Sequence, residues 1–442
     1  MQIGQYLDHD ITLTPEHESE SSCCLSNNTD PECMKLTIPA SDPFYRTRGI
    51  NEDCFSLTRS TQFCAKTKSN FGITSEREQF NRITSFVDAS NVYGSYEYQG
   101  IKDIKLRSYV VGKLRVGAHD SLPREGHCKV PIAGDIRASE QPALLSMHTL
   151  FVKEHNRVCD EIWKKSAIKD WYTLGKRGCV RDKCDELIYQ NARRIVTAEW
   201  QNIIYQEYLP IVLGPKVMRK FGLNLNIRYG STYNKNENPN IFNEFATAAY
   251  RFGHSLIPGT FDKPNLDGSM NKTWQLSNEQ FKSREIICPE CVDQIIFGLV
   301  RQKPEPFDRF LTKEVTDLLF KEKKKFGQDL DARNIMRGRD HGLPGYSKFY
   351  KKYGPRSDAN RNMNDWNQRP ASFSQVSWNL LKKVYLHPHD IELWSGGLME
   401  KTNAKDGEVG IVFRSIIGLQ FKKLLYGDRF FFTHKGKNSI FS

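Results

Sequence analysis

Three chemically different groups stand side by side at Asp8, His9 and Asp10, in the stretch GQYLDHDITLTP from Gly4 to Pro15. If this stretch is helical, Gln5, Asp8 and His9 share one face through their i, i+3, i+4 spacing, while Asp10 is turned well away from Asp8. One helix then serves two sites. His9, whose pKa lies closest to neutrality, suits proton transfer, and Asp10 suits a separate cation site. Taken alone, these residues read better as a polar helix start, with acids near the positive end of the helix dipole. Stretches further along the chain overturn that reading.

In ITSFVDASNVYGS, residues 83–95, Thr84, Phe86, Asp88 and Ser90 fall at alternate positions. In an extended loop such alternation turns every second oxygen to one side. Two hydroxyls, a carboxylate and a backbone carbonyl suit calcium's preference for hard oxygen ligands, with Asp10 as a further anion; the competing reading is a half-buried strand. In GDIRASEQP, Arg137 and Glu140 lie three apart just ahead of Pro142, which suits a first helical turn. They read either as a surface ion pair or as two groups facing a shared ligand. A helix expected over residues 243–257 carries Arg251 and His254 on one face. A lone histidine there is ordinarily a hydrogen-bonded core residue, but Gly253 beside it suggests something large approaching the backbone. Asn334 and Arg337 repeat the i, i+3 theme in DARNIMRGRDHGLPGY.

The elements that must position these groups read as helices. Residues 185–208 form the longest clear one, with Ile188, Ala192, Ile195, Val196, Trp200, Ile203 and Ile204 as its stripe, and another is expected near 412–425. The helix after Gly134 has an apolar set that includes Ala143, Met147, Leu150 and Phe151. Residues 16–63 read as Cys-rich loop, held by stapling rather than by a core. At 442 residues, 38% hydrophobic and 12% aromatic, the chain can bury a substantial core. Length alone suggests two or three domains, but no linker or repeat divides it and period-2 strands are scarce. The expectation is one large, mainly α domain over residues 1–442 with few short strands. No run reaches the roughly 18 apolar residues of a membrane span. Net charge is +12, scattered without a basic stripe or a nucleic-acid-binding module, so nucleic acid is not an expected partner. Eleven cysteines and glycosylation sequons at Asn27 and Asn271 favour an oxidising, secretory compartment. Zinc at Cys179, Cys184, Cys288 and Cys291 is the weaker reading, because the first spacing is wide and no ligand histidine is near.

Together and in this order, these motifs resemble the animal haem peroxidase family along nearly the whole chain. The resemblance implies a single helical peroxidase domain, incomplete at both its N- and C-termini. It makes His9 the distal histidine, Arg137 the distal arginine and Gln5 a lining residue of the peroxide pocket. His254 matches the proximal iron ligand, Asn334 the asparagine on its far ring nitrogen, and Arg251 and Arg337 the arginines near the haem propionates. Asp8 and Glu140 match the carboxylates esterified to haem, which implies covalently linked haem b. Asp10, Thr84, Phe86, Asp88 and Ser90 match a calcium shell. Pairs Cys23/Cys33 and Cys24/Cys54 match the family's early disulfides, whereas Cys128 shows no local partner. The implied activity is reduction of hydrogen peroxide with oxidation of a halide, thiocyanate or a phenol, in a secreted protein. Relatives that oxidise chloride carry a methionine where this chain has Gln141, so bromide, iodide or thiocyanate is expected to be preferred over chloride. Two other readings are a non-catalytic extracellular matrix or adhesion protein on a peroxidase scaffold and, less well supported, a fatty-acid oxygenase.

Overall fold

A computed structural model describes residues 1–19, 22–25, 27–45, 54–63, 77–95, 106–126, 130–165, 181–226, 228, 230–322 and 326–435. Cys64, Cys128 and Cys179 lie outside these residues. The first helix, α1 (Gln2–Ile11), is only ten residues long, a length that is marginal in isolation. Its apolar face supplies what propensity does not. Tyr6, Leu7 and Ile11 are fully buried, and the Tyr6 ring stacks on Phe151 at 5.1 Å while Trp200 meets it edge-on at 5.1 Å. Such ring pairs are worth about 0.5–1.5 kcal/mol each beyond simple burial.

Those two partners come from the long helices α2 (Pro142–Lys165) and α3 (Arg181–Ile203). Pro142 opens α2, where its missing N–H is no loss. Every residue from Pro142 to Thr149 is buried, so α2 enters through the core on all sides. Leu150, expected on the apolar stripe, is exposed, and Leu144 and Leu145 are buried instead. The stripe of α3 holds at Ile188, Ala192, Val196, Trp200 and Ile204, but Ile195 is exposed. Four-residue steps drift around a helix, leaving Ile195 about 100° from Val196. Nor does the helix stop at Tyr208: a π-helical turn (Ile204–Tyr208) joins α3 to α4 (Leu209–Phe221).

The single helix expected over residues 243–257 is broken. α5 (Asn243–Thr247) ends at Ala248, whose φ of −133° and ψ of −67° are not helical, and a 3-10 turn follows over Ala249–His254. Next in the site's architecture are α6 (Leu330–Asp340), α7 (Leu393–Leu398) and the buried α8 (Ile411–Gly427). Asp329 caps α6 by accepting from Ala332 N at 3.1 Å. One continuous hydrophobic cluster runs from Tyr6 to Phe431.

Strands among the described residues are confined to three two-stranded sheets. The first pairs Cys33–Thr37 with Cys54–Thr58 antiparallel, so residues 16–63 are not all loop, and they have a small apolar cluster of their own around Ile38 and Tyr45. Disulfides Cys23–Cys33 and Cys24–Cys54 staple this hairpin as expected. Asp340, at the end of α6, holds it in place by accepting from Arg59 Nε at 2.8 Å and Ser60 N at 2.7 Å. Cys288 and Cys291 are bonded to each other, which removes them as zinc ligands; Cys184 is also in a disulfide, and Cys159 is free and buried. No described helix is long and apolar enough to cross a membrane.

Behind α7, the buried Glu400 accepts from the Tyr346 hydroxyl at 2.5 Å and from Val412 N at 3.1 Å. Burial pushes its carboxyl up from 4.5 to about 7. The fold therefore favours the protonated form, a contribution that is complete below the unfolded value and lost as pH rises through the folded one. Glu400→Gln is expected to flatten this fall, about 3 kcal/mol in size, as read from denaturant midpoints measured across that pH window.

Candidate active site

The site is built from α1, the turn ahead of α2, the 3-10 turn and α6. On the first side, His9 is 3% exposed. The turn carrying Asp135 and Arg137 is pressed against the short helix Ser90–Tyr93. A Cβ on Gly134 would stand 2.3 Å from Ser90 O and 2.6 Å from Gly94 N, so only glycine permits this approach. Arg137 and Glu140 lie in this turn rather than in the first turn of α2, because Pro142 takes the first helical position.

Arg137 grips Asp135 with two bonds, Nε to Oδ1 at 2.9 Å and Nη2 to Oδ2 at 2.8 Å. It also donates to Thr12 O at 2.8 Å and to Asp8 Oδ2 at 3.3 Å. His9 Nδ1 lies 3.5 Å from Asp135 Oδ1 and makes no hydrogen bond. Burial, followed by the Arg137 charge, lowers the His9 pKa well below its ordinary 6.5, although Asp135 opposes the shift. Against the cost of its own burial, Asp135 is held far below the usual carboxylate range by Arg137 and His9. The result is a neutral imidazole beside a fixed ion pair.

Gln5 and Asp8 stand on the His9 face of α1 as the helical spacing predicts, and Glu140 joins them from the turn ahead of α2. Gln5 Nε2 donates to Glu140 Oε2 at 3.3 Å, and Asp8 Oδ1 accepts from the Thr12 hydroxyl at 2.6 Å. Burial pushes Glu140 up to about 7 and also raises Asp8. Gln141 Nε2 is engaged by Gln2 Oε1 at 3.1 Å and Gln5 Oε1 at 3.3 Å.

On the second side, three residues per turn stack Arg251 over His254. Asn334 joins them: its Nδ2 lies 2.8 Å from His254 Nδ1, and its Oδ1 accepts from Arg251 Nη1 at 2.8 Å. Burial, then Arg251, lowers His254 to about 3, so its ring is neutral. Its Nε2 has no hydrogen bond among the described residues, and a Cβ on the adjacent Gly253 would meet nothing within 4 Å. A free ring nitrogen beside open space fits an axial ligand and a large planar group. Tyr250 ties the two sides together, its hydroxyl reaching Gly4 O at 3.4 Å and the Tyr208 hydroxyl at 3.3 Å. Arg337 is directed elsewhere: it bonds Thr58 O, Ser60 Oγ and Asp340, each at 3.0 Å, and pairs with Glu16 at 2.7 Å.

Asp10, Ser90, Asp88 and Thr84 are linked to one another, though not on an extended strand. Residues 84–89 bend, Ala89 has a φ of 59°, and Ser90 begins the short helix. Asp10 accepts from Ser90 N at 2.6 Å, Ser90 Oγ at 3.0 Å, Ala89 N at 3.2 Å and Trp200 Nε1 at 2.9 Å. Asp88 accepts from the Thr84 hydroxyl at 2.9 Å, and Phe86 lies in the same bend. Burial, then the Asp88 charge, pushes Asp10 up to about 8. No three or more His, Cys, Asp or Glu side chains cluster as a metal site among the described residues. Two crowded carboxylates with hydroxyls beside them nonetheless make a set of hard-oxygen donors that suits a divalent cation.

Two residues of this site escape the helical periodicities. Asp135 sits two positions before Arg137 in a turn, where spacing carries no facing rule. Trp394 meets the His254 ring edge-on at 5.9 Å and donates to Asp331, 63 positions away, so only the tertiary fold reveals it.

The sequence profile of the animal haem peroxidase family matches residues 1–442. The chain is 34% identical to myeloperoxidase of Mus musculus, over 99% of this chain and 60% of that protein. It is 33% identical to peroxidasin of Drosophila melanogaster, over 99% of this chain and 29% of that one. Among solved structures, Peroxidase A from Dictyostelium discoideum superposes with a TM-score of 0.76 at 25% identity, covering 98% of this chain and 79% of that one. Oryza sativa fatty acid alpha-dioxygenase, with a TM-score of 0.71 at 21% identity over 97% and 68% of the two chains, shares the fold. The chain belongs to the animal haem peroxidase family, and it spans 60% and 29% of the length of the two curated relatives.

The geometry around His9 yields a direct test. NMR of the His9 ring should show no protonation across the range, about pH 6 to 8, where an ordinary histidine titrates. Arg137→Gln, by removing the neighbouring cation, should move that titration upward toward the ordinary value.

Proposed function

We propose that the chain is a haem-dependent peroxidase that reduces hydrogen peroxide and oxidises a small anion or a phenol. The observation that carries this reading is the pairing, in one interior, of two neutral histidines with different surroundings. His9 stands beside the Arg137–Asp135 pair, and His254 keeps Nε2 free beside the open space at Gly253. Haem b fits between these roles and, when bound, supplies a redox-active iron.

In this reading His254 Nε2 would hold the haem iron. A ring that ligates through Nε2 carries its proton on Nδ1 and donates it, so Asn334 turns its amide oxygen to that nitrogen. Arg251, which holds that oxygen at 2.8 Å, is then released to pair with a haem propionate. Asp8 and Glu140 would be the carboxyls that form esters with the haem.

Because His9 Nδ1 faces Asp135, Nε2 is the nitrogen that takes a proton from one peroxide oxygen and returns it to the oxygen that leaves as water. Arg137 has one Nη1 hydrogen uncommitted among the described residues, and its charge stabilises the leaving oxygen. Gln5 positions the peroxide. Gln141, held by Gln2 and Gln5, cannot make the link that a methionine makes, which favours bromide, iodide or thiocyanate over chloride. Calcium bound by Asp10, Asp88, Thr84, Ser90 and the Phe86 carbonyl would neutralise the crowded carboxylates and fix α1. The exposed Asn27 and Asn271 and the disulfides fit a secreted protein.

The test is the visible spectrum of the chain made in a secretory host with haem supplied, before and after peroxide. A Soret band that shifts with peroxide is expected; one that never responds would sink the reading. His254→Ala should lose the band, whereas His9→Ala should keep it and slow the peroxide reaction by about 10²- to 10⁴-fold. A calcium chelator should lower the thermal midpoint of the holoprotein, and the Asp10→Asn variant should respond less.

A further inference from the structure

Behind His254 lies a cavity of about 210 Å³ that plays no part in the chemistry above. Its wall includes Asn334 and Trp394, the two residues that touch the His254 ring. Ile335, Leu343 and Leu393 give it an apolar wall, and Thr247, Arg339, His389, Asp390 and Glu392 line the rest. Arg339 donates to Glu392 Oε1 at 3.0 Å, Glu392 Oε2 is buried outside hydrogen-bond geometry, and the Tyr385 hydroxyl also interacts with this carboxylate. Trp394 is the only described aromatic side chain in ring contact with His254. Its indole N–H donates at 2.6 Å to Asp331, a carboxylate on α6 that is itself partly buried. A backbone carbonyl would satisfy that N–H equally well; a carboxylate in its place can also take the indole proton.

Building on the haem peroxidase reading, we infer that this cavity binds a phenol and that Trp394 carries its electron toward the haem held by His254. The apolar walls suit an aromatic ring, and Glu392 Oε2 is an acceptor for its hydroxyl. The electron count is simple. Haem oxidised by peroxide takes one electron from Trp394, and the indole proton passes along the 2.6 Å bond to Asp331. The phenol then returns one electron to Trp394 and leaves as a phenoxyl radical, giving its hydroxyl proton to Glu392, which releases it to solvent, while the Asp331 proton goes back to the indole. For each proton released here, one is taken up from solvent on the His9 side, where the second water forms. Two phenols consume the two oxidising equivalents of one peroxide. Small anions are oxidised on the His9 side, so the two classes of reductant use opposite faces of the site.

The experiment uses the holoprotein with p-cresol and bromide as the two reductants. One equivalent of peroxide without reductant, in the presence of a nitroso spin trap, should place an adduct on Trp394 in peptide mass spectra. Trp394→Phe should remove that adduct and lower the ratio of p-cresol to bromide turnover at least tenfold. Should Trp394→Phe fail to take up haem, Leu343→Trp fills the cavity with the indole relay intact and should lower the same ratio. A wild-type protein without an adduct at Trp394, or an unchanged ratio in either variant, overturns the inference while leaving the peroxidase reading in place. A wild-type spectrum unmoved by peroxide overturns both.

Discussion

A fully buried carboxylate at Asp10 is the constraint on which the rest of the site depends. Taking that charge out of water is costly enough to push the group up to about 8, and Ser90, Ala89 and Trp200, which all donate to it, offset only part of that cost. Those donors come from the segment at Ala89–Ser90 and from α3, so one side chain locks two separate pieces of chain to α1. Because Asp10 follows His9, the same lock fixes where the imidazole points. The stacked Tyr6, Phe151 and Trp200 add apolar weight to the same junction. A ten-residue helix therefore holds a reactive group in place although it has no stability of its own.

Opposite it, positioning works by a different logic. The 3-10 turn brings Arg251 and His254 into line, and α6 supplies Asn334 to both. Three residues further on, Arg337 faces away and binds Glu16 and the hairpin strand. One helix face thus steadies His254, while its end carries the N-terminal hairpin through Asp340.

What the sequence made legible follows from how far each signal reaches. Gln5, Asp8 and His9 on one helix, and Asn334 and Arg337 on another, obey a spacing rule that needs no tertiary information. Arg251 and His254 were placed together correctly for a partly wrong reason, since the chain between residues 243 and 257 breaks at Ala248 under packing that local propensity does not encode. Arg337 shares its helix with Asn334, but spacing could not say that its guanidinium serves the hairpin. Asp135 was missed because a turn has no facing periodicity, and Trp394 because its partner is remote in the chain. Leu150 and Ile195 are apolar residues at plausible positions that the fold leaves in water.

The π-helical turn between α3 and α4 adds a geometric condition of its own. Trp200 and Tyr208 are eight positions apart, which on an ideal α-helix leaves them about 80° out of line. A π turn takes up one extra residue, returning Tyr208 to the face occupied by Trp200. That phase correction lets one helix touch α1 at both ends, at Asp10 through Trp200 and at Gly4 through Tyr208. The inserted residue acts as a rotary spacer: its value lies in the angle it adds, and no side-chain substitution could supply that angle.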